Sequence, residues 1–219
     1  MKVVILTDSL GLPRTFPEVV KLEETYIEKL RDRYRDIRFI TLSIGGARLA
    51  TLQQQYFNYF QSVEPDLVIL QSGIVDAAPR ALKGWEATVI NSNVISRKLY
   101  SFFLKPHTVF IRKVRKLTYT PLPGFTYLAS TFRRAMGTKV AWIGIIPANS
   151  EYEANLPGIG KNIESYNQQL KMIFSDEFID MSDMPADGVM SDHHHINKKG
   201  HEFIFEKVSR LINMLRKES

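Results

Sequence analysis

The 219-residue sequence contains no cysteine, which excludes disulfides, thiolate nucleophiles and cysteine-ligated zinc, and fits a reducing compartment. Any covalent chemistry must therefore rest on a hydroxyl, an amine or a carboxylate. Long apolar runs are missing as well. The first short one, Lys2-Val3-Val4-Ile5-Leu6, passes straight into a polar turn and is far too short for a signal-peptide core or a membrane span, so the expected location is cytoplasmic. No repeat and no low-complexity segment occurs. Acidic residues are absent from Ala87 to Ser150, a stretch holding ten lysines and arginines, whereas the rest of the chain has nineteen basic residues against 23 acidic ones. The net charge of +6 thus comes from one block able to attract an anionic partner, although surface lysines are most often simply solvated.

What is present is the composition of a soluble globular protein, 44% hydrophobic and 24% charged, and of a length that one domain, residues 1–219, can fill. Short Val/Ile/Leu-rich runs alternate with segments of helical period, the pattern of a parallel sheet covered on both faces, hence an α/β three-layer fold. Strands are expected near residues 2–6, 38–42, 67–71, 139–145 and 178–181. Helices are expected from Pro17 to Leu30, from Asn162 to Phe174 and from Lys198 to Arg216, each with one apolar stripe. Residues 82–137, interrupted by Pro106, Pro121, Pro123 and Gly124, exceed an ordinary crossover and read as an insertion with helices at 86–104, 108–117 and 125–136.

In an open parallel sheet, binding residues collect beyond the carboxyl ends of the strands. The first exit is Thr7-Asp8-Ser9-Leu10-Gly11, where a serine on a tight strand-to-helix turn offers both its hydroxyl and its backbone N–H to the cleft. Asp8-Ser9 is equally an ordinary helix cap. The second exit carries Gly45-Gly46, a backbone that a ligand can approach closely, or merely a turn. The third is Ser72-Gly73-Ile74-Val75-Asp76. Before the last helix stands Asp192-His193-His194-His195, in which Asp192 and His195 can form the base-and-orienter pair that activates a serine. The three histidines with Asp192 and His201 could also ligate a metal, but adjacent side chains on an extended segment diverge, so no metal site is expected.

In this order the four blocks resemble those of the SGNH (GDSL-like) hydrolases: Thr7-Asp8-Ser9-Leu10, Gly46 within Ile44-Gly45-Gly46-Ala47, Gly73-Ile74-Val75-Asp76, and Asp192-x-x-His195 followed by Ile196-Asn197-Lys198-Lys199-Gly200-His201. Tyr166-Asn167 with Leu170 fits the same likeness. The resemblance implies a flavodoxin-like five-stranded parallel sheet of order 2-1-3-4-5. It implies an ester hydrolase with Ser9 as nucleophile, His195 as base, Asp192 as its orienter, the N–H groups of Ser9 and Gly46 as oxyanion donors, and no cofactor.

Two positions depart from the family pattern. Thr7 stands where the family usually has glycine, and Val75 replaces the asparagine that would be a third oxyanion donor; loss of one such donor typically lowers the rate about a hundredfold or more. Arg80 and Asn149 are candidates to fill that gap. Asp8, Asp76, Arg80 and Asn149 are candidate substrate contacts, with Asp76 and Arg80 equally readable as a structural clamp. Residues 97–134 interleave basic and aromatic side chains without any nucleic-acid-binding motif, so nucleic acid is disfavoured. A lid suited to an anionic or amphiphilic substrate, or a contact with a membrane surface or an acyl carrier, accounts for the mixture, as does a solvated cover. The expected substrate is a small O-acyl ester, such as an acetyl group on a carbohydrate or activated sugar. The alternatives are an O-acyltransferase using the same acyl-enzyme and a non-catalytic binding protein on this scaffold.

Overall fold

A computed structural model describes residues 1–217. Five short strands, dominated by branched apolar residues, pair in parallel: β1 (Lys2–Thr7), β2 (Arg38–Ser43), β3 (Leu67–Gln71), β4 (Lys139–Ile143) and β5 (Phe178–Ile179), in the order β2-β1-β3-β4-β5. Their register aligns the strand ends. Thr7 lies opposite Ser43 on one side and Gln71 on the other, and Gln71 lies opposite Ile143, so the strand exits open along one edge. Val3, Val4, Ile5 and Leu6 are fully buried because helices cover both faces of the central strand.

The helices are α1 (Tyr26–Arg33), α2 (Leu49–Gln55), α3 (Ile74–Ala77), α4 (Gly84–Asn91), α5 (Val94–Leu99), α6 (Thr108–Arg115), α7 (Leu122–Ala135), α8 (Ser150–Asn155), α9 (Ile159–Phe174) and α10 (Lys198–Lys217). One face of the sheet packs on α2, α7 and α9 through Leu52, Phe132 and Leu170. The other packs on α1 and α10 through Leu30, Ile204, Val208 and Ile212.

Three expectations need revision. The helix expected from Pro17 begins only at Tyr26, where Thr25 caps it by accepting from the N–H of Glu28. Before it the chain folds back on itself, with the N–H and C=O groups of Arg14 and Val20 paired at 2.8 Å in both directions, and this bridge competes with helix for the backbone. Val19 and Leu22, which a helix from Pro17 would carry on one face with Tyr26 and Leu30, are consequently exposed. The helix expected over 86–104 is split, because the Asn93 side chain accepts from the N–H of Ser96 and starts α5 afresh; beyond Leu99 the chain continues as a π turn, Tyr100–Leu104. Finally, the 82–137 stretch divides in two. Helix α7 buries Phe125, Ala129 and Phe132 completely and is the crossover helix between β3 and β4, whereas no residue from 82 to 124 is buried.

Candidate active site

Ser9 opens a single 3-10 turn, Ser9–Gly11, directly after β1, with Asp8 capping it by accepting the N–H of Leu10 at 2.9 Å. That turn ends the strand and lifts the Ser9 hydroxyl out of the sheet edge. At the far end of the chain, the loop before α10 is pinned by backbone bonds from Met190 N–H to His195 C=O (2.7 Å) and from Asn197 N–H to Gly188 C=O (3.1 Å). These bonds deliver the imidazole to the same point. Ser9 Oγ lies 3.0 Å from His195 Nε2, and His195 Nδ1 lies 2.7 Å from Asp192 Oδ2. The other carboxylate oxygen, Oδ1, accepts the N–H groups of His195 (3.0 Å) and His194 (3.3 Å), so the Asp192 carboxylate is itself held by backbone.

The electrostatics favour a neutral base beside a charged orienter. Burial drives the His195 imidazole down to about 4, with the positive field of Arg14 adding to it, against the upward pull of the Asp192 hydrogen bond. At Asp192 partial burial pushes the carboxyl up, but hydrogen bonds from the His195 ring and from backbone N–H groups prevail and hold it at about 2. With Asp192 ionised, Nδ1 carries the proton and Nε2 presents its lone pair to Ser9. Ligand atoms of Asp192, His194 and His195 all lie within 4.8 Å of one another, close enough to embrace a cation. Yet the Asp192 oxygens already accept three hydrogen bonds from the two histidines, which suits the donor set to orienting an imidazole.

The other predicted residues fall into two groups. Gly46 lines the cleft with a left-handed backbone (φ +68°), a conformation that favours glycine, and its N–H, like that of Ser9, has no acceptor among the described residues. Arg80 and Val75 also line the cleft. Asp8 and Asp76, in contrast, have no exposed surface. Asp76 holds two neighbouring segments, accepting the N–H of Leu49 at 2.9 Å and the hydroxyl of Thr120. Asp8 Oδ2 has no partner, and burial raises the carboxyl to about 7. Asn149 is exposed; it caps α8 through Tyr152 N–H (2.8 Å) and meets His193 Nδ1 at 3.1 Å, outside the cleft. Of the two groups expected to stand in for the missing asparagine, only Arg80 therefore reaches the cleft wall.

Thr7 ends β1 with extended backbone, so the family's glycine is not needed there, and its hydroxyl bonds Ser43 Oγ at 2.9 Å. Gly73 is needed: its φ is +128°, and a Cβ would come within 2.6 Å of Ile145. Ile145 in turn is clamped by Asn167, whose side chain accepts from its N–H and donates to its C=O, both at 2.8 Å. Asn167, singled out in the sequence, thus shapes the exit of β4.

Sequence reasoning missed Arg14, Arg112, Tyr119 and Tyr152. The Arg14 guanidinium contacts His195 Nε2, so one lone pair faces two donors, Arg14 N–H and Ser9 O–H. Arg80 stacks on the Tyr119 ring at 3.9 Å, and Tyr152 lies nearly parallel to the His194 ring (12°, 5.6 Å). The cleft beside Ser9 and His195 has a volume of about 460 Å³ and is lined by three arginines, Arg14, Arg80 and Arg112, and no carboxylate; Tyr119 lies behind Arg80 and not in the lining. A larger groove of about 1140 Å³ lies at the opposite edge of the sheet, by Met1, Asp66 and Thr138, remote from the serine and histidine. An isolated arginine in a loop has no periodicity or spacing to mark it, which is why Arg14 was not legible.

No protein-family model matches the sequence, and no curated protein matches it significantly. Solved structures do match. The lipase/acylhydrolase from Enterococcus faecalis superposes with a TM-score of 0.67 at 15% identity, over 96% of this chain and 94% of that one. The acetyl xylan esterase AlAXEase gives 0.65 at 16% identity, over 97% of this chain and 100% of that one. The psychrotrophic esterase EstA from Pseudoalteromonas sp. gives 0.57 at 19% identity, over 99% and 98%. Strand order, the flanking helices and these likenesses over nearly the whole length agree: this chain has the fold of the SGNH hydrolases.

Proposed function

We propose that the protein is a serine ester hydrolase that removes a small O-acyl group from an anionic substrate. The observation that carries this reading is the continuous hydrogen-bonded line from Ser9 Oγ through both nitrogens of His195 to Asp192. In the reaction, Ser9 Oγ attacks the ester carbonyl carbon while His195 Nε2 takes its proton. The imidazolium, steadied by Asp192, then protonates the departing alcohol oxygen as the acyl–oxygen bond breaks. Water, deprotonated by the same Nε2, attacks the acyl-serine, releases the acid and returns the proton to Ser9. The N–H groups of Ser9 and Gly46, free of other acceptors among the described residues, face the developing oxyanion, and the nearby guanidinium of Arg14 or Arg80 supplies positive charge where Val75 cannot donate.

The substrate class follows from the cleft. The cleft is lined by Arg14, Arg80 and Arg112 and by no carboxylate, a concentration of positive charge that favours an anionic substrate. A phosphate or carboxylate beside the ester would pair with these guanidinium groups. An acetyl ester on a carbohydrate that also bears such a group fits the 460 Å³ volume and is in keeping with the acetyl xylan esterase named among the structural neighbours.

The test is kinetic. Wild type should hydrolyse p-nitrophenyl acetate, and Ser9→Ala or His195→Ala should lose that activity by a factor on the order of 1,000 or more. Arg80→Ala should raise KM for an acetylated sugar phosphate much more than for p-nitrophenyl acetate. Full activity in Ser9→Ala would end the reading, and an equal effect of Arg80→Ala on both esters would remove its anionic part.

A further inference from the structure

The segment between α3 and α7 is built inside out. From 82 to 124 no residue is buried, yet eleven of the 21 large apolar side chains exposed among the described residues lie between Trp85 and Val114. In α6 two arginines turn inward. Arg115 bonds the backbone oxygen of Ala81 (2.9 Å) and the Glu86 carboxylate (both 2.7 Å), and Arg112 bonds the backbone oxygen of Asn155 (3.1 Å). On the opposite face Phe110 is 67% exposed and Val114 61%. The same strip continues on α5 and the following π turn, where Ile95, Leu99 and Phe102 recur at one-turn spacing and Phe102 is 76% exposed.

The charge around this strip has one sign. Arg97, Lys98, Lys105 and Lys113 are exposed beside the aromatic side chains, and no acidic residue occurs anywhere from 87 to 150. A protein-binding patch would ordinarily be depleted of lysine at its centre. Aromatic and aliphatic side chains interleaved with lysine and arginine, with the segment's one acidic side chain, Glu86, neutralised by Arg115, instead match the headgroup region of an anionic bilayer: the apolar atoms enter the interface and the cations meet the lipid phosphates. No helix among the described residues is long and apolar enough to cross a membrane, so this segment would lie on the surface.

We infer that residues 84–116 form an arm that docks the protein on an anionic lipid surface. Arg112 belongs both to this arm and to the wall of the cleft, so the arm that docks is also part of the cleft wall. The inference stands on the arm's surface alone and does not depend on the ester chemistry.

Co-sedimentation of the full chain with vesicles of phosphatidylcholine, alone or mixed with phosphatidylglycerol, tests it. Wild type should sediment with the mixed vesicles and not with pure phosphatidylcholine, and added salt should release it. The triple variant F102S/F103S/F110S and the double variant R97E/K98E should each bind the mixed vesicles about tenfold or more weakly, with unchanged circular dichroism because all five side chains are exposed. The inference is overturned if wild type ignores the mixed vesicles, if it binds both kinds alike regardless of salt, or if the variants bind like wild type. It is equally overturned if light scattering shows a dimer in solution that F102S/F103S/F110S converts to monomer, since a second copy would then be what covers the strip.

Discussion

At the scale of single residues, the proposed chemistry makes His195 the group that sets the working range. Its imidazole is held at about 4, so the base is neutral throughout the physiological range. The log of kcat/KM should therefore climb with pH through about 4 and be level by pH 6, where an unperturbed histidine would still be titrating. Removing the positive charge of Arg14 should move that acid limb upward, because a nearby cation disfavours the imidazolium; a pH–rate profile of Arg14→Gln checks the direction. Val75→Asn should raise kcat by roughly tenfold to a hundredfold if the missing donor is what limits the oxyanion site. Asp8 is a stability question instead. Its carboxyl rests at about 7 in the fold against 3.8 as the ordinary value, so its favourable contribution is complete below 3.8 and lost as pH rises through 7. Asp8→Asn should accordingly stabilise the protein at pH 8 by something on the order of 2 kcal/mol, read from denaturant unfolding, and have no such benefit at pH 4.

At the scale of elements, α10 and α7 hold the site from opposite faces of the sheet. His201, in the first turn of α10, accepts the N–H of Tyr26 at Nδ1 (3.2 Å) and stacks on the Tyr26 ring, tying the loop that carries His195 to the start of α1. Burial lowers its imidazole to about 4 from 6.5, so the unfolded chain takes up the proton first, and stability should fall as pH drops from 6.5 to 4. Thermal unfolding of His201→Gln should show a shallower loss across that interval. In α7, Phe132→Ala should cost about 3–5 kcal/mol by leaving a cavity against Tyr56 and the sheet. The strands and the last helix were legible in the sequence because burial on both faces forces continuous Val/Ile/Leu runs, and the Lys198–Lys217 stripe is long. Less was legible where local and global demands compete. Phe125, Ala129 and Phe132 stand at the spacing of one helix face, but the prolines beside α7 drew the segment into the insertion. The Arg14–Val20 bridge overrode a helical pattern that only tertiary structure could reject.

At the scale of the molecule, the parallel register gathers the ends of β1, β2 and β3 on one edge, and α10 returns the C-terminal loop to that edge. Ser9 and His195, 186 residues apart, meet for that reason. Their partnership could be read in advance because each block has its own spacing. The arginine lining could not, since Arg14, Arg80 and Arg112 come from three unrelated segments. The basic arm likewise follows from composition, while its inverted α6 became visible only once Arg112 and Arg115 had found their acceptors in the body. Activation of Ser9 by His195 is the central claim of the proposed function, and it is tested most directly by intact and peptide mass spectrometry after treatment with a fluorophosphonate. One phosphonyl adduct is expected on the peptide containing Ser9, absent in Ser9→Ala and formed far more slowly in His195→Ala. Failure of wild type to form the adduct, or an adduct that persists unchanged in Ser9→Ala, would contradict it.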